Sequence, residues 1–259
     1  MILTNENYFS PEASMHYFSV SSLKSFDACE ARALAECKGE WKEEPSVALL
    51  RGSFIDAYFE GTLDKFIEEH PELFKRDGNL KADYAHAYKI IERVERDPMF
   101  MEYMSGEKQV IKTGEIDGFP FKIKMDVYRP NERIVDLKVV RSFERIMGRS
   151  FIDYWHYDWQ AYVYHKIEGN NLPFYLAATT KEAEPDLAVI SIDMQDAEES
   201  FSVVRNKLPR WAAIKKGEIE PERCEQCNYC KRTKVLKNYI SSDFVGFTPK
   251  EIRAIRGEV

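Results

Sequence analysis

The chain has 259 residues, 44 % of them apolar, with 44 acidic and 37 basic side chains and a net charge of −7. That is enough apolar material for a real core in one large domain or two small ones, and it excludes a wholly basic nucleic-acid-binding module; a local basic groove on an acidic protein stays compatible with it. No run of about 18 apolar residues is present, and MILTNENYFSPEAS lacks a basic region followed by an apolar core, so neither a transmembrane helix nor a signal peptide is expected.

In chain order, residues 1–18 show no period and read as an arm or a short strand. Ser19–Lys38 reads as one helix, capped at Ser19, Ser21 or Ser22, with Cys29 inside it. A second helix, capped at Ser46 and ended by Gly61, sets Gly52, Asp56 and Glu60 at i, i+4 and i+8. On spacing alone this is a solvated stripe of an amphipathic helix. Residues 62–105 are mainly helical, with a turn at Asp77-Gly78, a helix from Asp83 to Glu95 and a stop at Asp97-Pro98. His70 and His86 have no ligand-spaced neighbour and read as surface or packing residues.

Three strands follow, at 107–116, 119–128 and 133–139, with Asp117-Gly118 as a hairpin turn. On the middle strand Phe119, Phe121, Ile123, Met125 and Val127 alternate with Lys122, Lys124 and Asp126. On the third, Ile134, Asp136 and Lys138 share a face. Asp136 and Lys138 then project together, about 7 Å apart, and pairing of the strands brings Asp126 to them. Two carboxylates are a minimal anchor for Mg²⁺, which supports phosphodiester cleavage, and an adjacent ammonium can orient water or neutralise phosphate. A solvated hairpin explains a lone Asp-x-Lys; the phase of Asp126 and the apolar setting tip this one towards function.

Residues 151–171 read as a strong helix carrying Tyr157, Gln160 and Tyr164, flanked by His156 and His165, to which no chemistry falls. Two strands, 173–180 and 186–194, lead to a helix over Gln195–Lys216 that Pro209 bends or interrupts. Cys224, Cys227 and Cys230 then put three thiols in seven residues. With five cysteines in all, this argues against a disulfide framework and for an intracellular, cytoplasmic protein with a metal site lacking one ligand. Cys37 is structural. Lys122, Lys124, Lys138, Arg141, Arg145 and Arg149 flank the hairpin site, and Lys231, Arg232, Lys234 and Lys237 form a second basic cluster. Residues 241–259 are a tail or appended helix.

Asp126-x9-Asp136-Leu137-Lys138 resembles the core of the PD-(D/E)xK nucleases. Gly52-x3-Asp56-x3-Glu60 resembles their RecB-like and RecE-like G-x3-H-x3-E helix, with Asp56 in place of His. Gln160-x3-Tyr164 resembles the Q-x3-Y element of the same group. Ser21-Ser22-Leu23-x2-Phe26-x2-Cys29, with the C-terminal trio, resembles the iron–sulfur nucleases. The resemblance covers about residues 19–235. It implies a single α/β (α+β) nuclease domain over 1–259 with a restriction-endonuclease-like core: a mixed, mostly antiparallel central sheet flanked by helices, with the cysteine-rich segment 224–230 and the tail 241–259.

The implied activity is Mg²⁺- or Mn²⁺-dependent DNA exonuclease action of the phage type, resecting double-stranded ends for recombination or repair. Asp126, Asp136, the Leu137 carbonyl, Glu60 and Asp56 would hold the metal; Asp126, Asp136, Lys138, Gln160 and Glu60 would carry catalysis; Tyr164, Lys122 and Lys124 would contact DNA. Cys29, Cys224, Cys227 and Cys230 would bind a [4Fe–4S] cluster, or alternatively zinc. The implied partners are DNA, a single-strand annealing protein and further copies of the chain, with no membrane. The other readings are a site-specific endonuclease on the same core, an inactive metal-stapled DNA-binding recombination protein, and an electron-transfer iron–sulfur protein.

Overall fold

A computed structural model describes residues 1–236 and 239–257; Lys237 of the second basic cluster and the last two residues of the tail lie outside the described residues. The helices are α1 (Pro11–His16), α2 (Val20–Ala28), α3 (Glu30–Cys37), α4 (Val47–Glu60), α5 (Leu63–Glu69), α6 (Ala82–Glu95), α7 (Pro98–Tyr103), α8 (Phe151–Tyr154), α9 (Tyr157–Glu168), α10 (Met194–Arg205), α11 (Leu208–Lys216), α12 (Asn228–Arg232) and α13 (Pro249–Arg256). The strands are β1 (Glu107–Ile116), β2 (Phe119–Arg129), β3 (Arg133–Val140), β4 (Phe174–Thr180) and β5 (Leu187–Ser191). None of these helices is long and apolar enough to cross a membrane.

The chain forms two compact units: Glu44–Ile116 with Lys122–Ser202, and Met1–Glu43 with Asp117–Phe121 and Val203–Val259. The strands make one five-stranded mixed sheet in the order β1-β2-β3-β4-β5. β2 and β3 are antiparallel, β3 and β4 parallel, β4 and β5 antiparallel. Only the β3–β4 step is parallel among these, and it needs a crossover, which α8 and α9 supply. β3 is buried on both faces over most of its length, as expected for a central strand covered by helices.

In the larger unit, Leu50, Phe54 and Ile55 of α4 and Ala87, Ile90, Ile91 and Val94 of α6 form one apolar cluster with Val127, Val135, Leu137 and Ala177 of the sheet. This burial fixes α4 against β3, with Asp56 and Glu60 on the helix beside the strand ends. The predicted boundaries of α4 hold: Ser46 accepts from the Leu49 N–H, and Gly61 closes the helix in the left-handed region.

Three local expectations change, and two prolines act at the expected places. Residues 11–16, expected as arm or strand, form α1, with the Ser10 hydroxyl as cap and Pro11 at its start. The helix expected over Ser19–Lys38 is two helices, because Cys29 is extended (φ −167°, ψ 107°) and ends α2. The helix expected over 151–171 breaks at Trp155-His156, where His156 takes φ 52°. Pro98 both stops α6 and opens α7, since its missing N–H costs nothing in a first turn. Pro209 acts likewise, dividing the helix expected over Gln195–Lys216 into α10 and α11.

Candidate active site

The β2–β3 register pairs Val127 with Val135. One step further along stand Asp126 and Asp136. There the backbone ladder gives way to a side chain: the Leu137 N–H donates to Asp126 Oδ2 at 3.0 Å. The Asp136 carboxylate is 2 % exposed. Its Oδ1 accepts from the Gln160 amide at 2.5 Å, and its Oδ2 is ion-paired with the Lys138 ammonium. The two strand acids, the lysine and the glutamine of α9 therefore meet as the alternation and the motif predict.

From α4, Glu60 joins through a residue that sequence reading overlooks. The Gln109 amide donates to Glu60 Oε1 at 2.5 Å and to Asp126 Oδ1 at 3.3 Å. Gln109 sits early in β1 at φ 56°, a left-handed conformation that is strained for a non-glycine residue. Beside it, Lys108 donates to the Met104 carbonyl. Asp56, Glu60, Lys108, Asp126 and Leu137 line a cavity of about 10 Å³, room for roughly one water or ion. Asp56 Oδ1 is buried there with no hydrogen-bond partner among the described residues.

The electrostatics follow from burying several acids together. Burial, then the charge of Asp136, push the Asp126 carboxyl well above the usual carboxylate range, against Lys138 and the Leu137 N–H. Asp56 is raised to about 7, by burial first and by Asp136 and Glu60, with Lys138 opposing. Burial likewise raises Glu60, against Lys124 and Lys108. Burial works against the Lys138 ammonium, yet Asp136 and Asp126 outweigh it and hold the proton more tightly than on an ordinary lysine. The ammonium also stands 5.5 Å from the centre of the Tyr157 ring. Crowded, incompletely partnered oxygens around a small cavity are the donor set that a hard divalent cation takes.

Two residues expected to touch DNA are placed otherwise. Lys122 is 3 % exposed, because the sheet is covered on both faces and the polar face of β2 does not meet solvent there. Tyr164 is buried, and its hydroxyl donates to the Lys124 carbonyl at 3.0 Å, tying α9 to β2. Lys124 itself is half-buried and adds positive charge near Glu60. His156 stacks on Trp159 and His165 bonds the Leu172 carbonyl; His70 pairs with Glu72.

The smaller unit holds the thiol set. Cys29, Cys224, Cys227 and Cys230 have sulfurs all within 4.8 Å of one another, with Cys29–Cys230 at 3.6 Å and Cys224–Cys230 at 3.9 Å. None of these is a disulfide. The Cys227 N–H points at Cys224 Sγ and the Cys230 N–H at Cys227 Sγ. Burial raises the Cys224 thiol, but the N–H groups of Gln226 and Cys227 outweigh it and bring it to about 7, whereas burial holds the Cys227 and Cys230 thiols above their ordinary value. The break at Cys29 is what turns its sulfur to the trio. This four-cysteine group can hold a metal ion.

Residues 19–233 match the family described as "PDDEXK-like domain of unknown function (DUF3799)". A search of curated proteins gives no match. Among solved structures, a crystal structure of a "putative exonuclease" from Eubacterium rectale is 44 % identical, covering 95 % of this chain and 99 % of its own, with a TM-score of 0.90. Another, SSO0001, is 17 % identical over 85 % of this chain and 96 % of its own; its TM-score of 0.32 bears on nothing here. With the strand acids, the lysine and the mixed sheet in place, and a family match over most of its length, the chain belongs to the PDDEXK-like family and carries the PD-(D/E)xK nuclease fold.

Proposed function

We propose that this nuclease domain is a divalent-cation-dependent exodeoxyribonuclease that resects double-stranded DNA ends in recombination or repair. The observation that carries the reading is the gathering of Asp56, Glu60 and Asp126 around a cavity of ionic size, with Asp136, bonded to Lys138 and Gln160, close enough to act on Asp126 through its charge. The partnerless Asp56 oxygen and the crowded Asp126 carboxyl fit an oxygen-liganded cation. Asp56, Glu60, Asp126, Asp136 and the Leu137 carbonyl would hold Mg²⁺ or Mn²⁺. When bound, the ion lowers the pKa of water and stabilises charge on the phosphodiester.

The chain's own groups do the rest. Lys138, kept protonated by its carboxylate neighbours, donates to the attacking water or to the phosphate. Gln160 fixes one Asp136 oxygen and so aims the other. Gln109 keeps Glu60 beside Asp126. Lys124 supplies charge towards the DNA backbone. An annealing protein that coats the freed strand is the partner that resection calls for.

The four-cysteine site is read as holding one tetrahedral ion, zinc. Metal–sulfur bonds of about 2.3 Å set thiolates roughly 3.8 Å apart around a single ion, which the 3.6 and 3.9 Å separations support. A four-iron cluster, with each thiolate on a separate corner, spreads its sulfurs farther.

The test is end-labelled linear duplex DNA incubated with Mg²⁺, Mn²⁺ or EDTA, beside closed circular DNA. Linear DNA shortens from its ends with either cation, EDTA stops it, and the circle survives. Discrete internal cuts in the circle would move the assignment to a site-specific endonuclease. Binding without cleavage under every cation would make the chain a scaffold. Lys138→Ala lowers the cleavage rate at least about 100-fold while anisotropy shows DNA affinity retained.

A further inference from the structure

Gly52 occupies the sixth position of α4, inside a helix that glycine weakens relative to alanine. A Cβ built on it meets nothing within 4 Å, and its φ is not in the left-handed region. Neither packing nor backbone conformation asks for glycine there. Gly52 precedes Asp56 by one turn and Glu60 by two, so the bare backbone adjoins the acidic centre.

Two cations border the same stretch. Lys181, just past β4, donates to the Ala48 carbonyl at 2.8 Å, which sets its ammonium over the first turn of α4. Ala48, Arg51 and Gly52 are related by i, i+3 and i+4 and share that surface. The Arg51 Nε is buried with no hydrogen-bond partner among the described residues, and the guanidinium otherwise reaches Asp83 only at 3.7 Å. Burial, and after it the charge of Arg51, lowers the pKa of Lys181. Like charges held near one another, with a donor left over, are the inverse of an anion.

We propose that Arg51 and Lys181 seat a phosphate group of the nucleic-acid strand beside Asp56, and that the strand crosses α4 over the side-chain-free surface at Gly52; this rests on the nuclease reading above. The arginine fork takes paired phosphate oxygens and the lysine acts as a point charge. A side chain at position 52 would hold the strand off the helix. The phosphate belongs either to the interior of the strand or to its end.

The experiment measures binding of labelled 20-mer duplexes by anisotropy in EDTA across a salt series, cleavage in Mn²⁺, and Tm, for the wild type and for Gly52→Ala, Gly52→Leu, Arg51→Gln, Lys181→Gln and Asp83→Asn. Gly52→Ala melts higher than the wild type by a few degrees. Gly52→Leu melts no lower, yet loses about 10-fold or more in affinity. Arg51→Gln and Lys181→Gln each lower the log–log salt slope by about one. Asp83→Asn, which breaks the ion pair and spares the cation, leaves affinity intact or improved. Arg51→Lys, retaining charge without the fork, replaces the Gln variant should that one not fold. Duplexes with phosphorylated and hydroxyl ends separate the two sources: a preference for the phosphorylated end that Arg51→Gln abolishes assigns the seat to a terminal phosphate, and equal loss on both assigns it to an internal one.

Wild-type cleavage that Gly52→Leu leaves unchanged, or unaltered salt slopes in both cation variants, overturns the seat and leaves the nuclease standing. A wild type whose binding depends on these residues but which cuts with no cation keeps the seat and removes the nuclease reading. A wild type that neither binds nor cuts DNA overturns both.

Discussion

A negative charge on Asp126 is disfavoured by its own surroundings: it is packed near Asp136 and Asp56, with one backbone N–H and a long amide contact as hydrogen-bond partners. A neutral isostere relieves that crowding. Asp126→Asn is therefore expected to raise the Tm in EDTA by about 2–4 °C, the equivalent of roughly 1 kcal/mol in a chain of this size, while cleavage with Mg²⁺ falls at least about 100-fold. Parallel melting and rate measurements check it, and a variant that melts lower and still cleaves would contradict it. This is the exchange of stability for function seen where a site is built to meet a ligand. At this scale the sequence is readable where chemistry coincides with period. Asp126, Asp136 and Lys138 follow from strand alternation, and Gln160 from its place in a motif. Gln109 does not, since its role depends on a left-handed φ and on Glu60, 49 residues away. Lys122 misleads for a related reason: alternation gives the face of a strand but not what covers that face.

Breaks in helices are invisible to periodicity when only one or two residues leave the helical path and the apolar spacing resumes beyond them. The Cys29 break and the His156 break are both of this kind, and each sets the direction of a functional segment: the sulfur of Cys29 and the helix that bears Gln160. What anchors α9 at its other end was also hidden. Glu168 Oε1 accepts from Lys112 at 2.9 Å, Tyr128 at 2.8 Å and the Asn170 amide at 2.8 Å, joining α9 to β1 and β2. Burial raises the Glu168 carboxyl, but Lys112, Asn170 and Tyr128 outweigh it and bring it to about 2. The folded-state value lies below that of the unfolded chain, so the ionised group stabilises the fold above about pH 4.5 and loses its contribution as the pH falls through about 2. Its side chain is fully buried, and the shift corresponds to about 3 kcal/mol. Glu168→Gln should lower stability by roughly 2–3 kcal/mol at pH 7, measured by urea unfolding, with the gap to the wild type narrowing between pH 4.5 and pH 2.5. A gap constant with pH would mean that shape, rather than charge, holds α9 in place.

Across the whole molecule, the distant parts of the sequence that close the smaller unit are joined at the cysteines. Cys29 and Cys230 lie 201 residues apart in sequence yet 3.6 Å apart at sulfur. Around them, Arg210 grips Glu30 through two hydrogen bonds, and the Ala31 N–H donates to the Glu222 carbonyl. A link over so long a loop removes much entropy from the unfolded chain, roughly 5 kcal/mol in the chain-entropy account of crosslinks, and metal binding would couple to folding in the same way. The cysteine spacing was legible because three thiols in seven residues rarely serve packing; the occupant was not, since spacing does not fix how far the sulfurs spread. The compact set leads to a definite expectation. Protein purified without added metal, with and without oxygen, should be colourless and hold about one zinc per chain by elemental analysis. A thiol-reactive mercurial should release that zinc and lower the Tm, and Cys230→Ser should lower it without mercurial. Four irons per chain with absorbance near ~400 nm in the anaerobic preparation would instead require the sulfurs to open around a cluster. Metal-free protein that melts at the same temperature as the zinc-loaded protein would show that packing alone closes the unit.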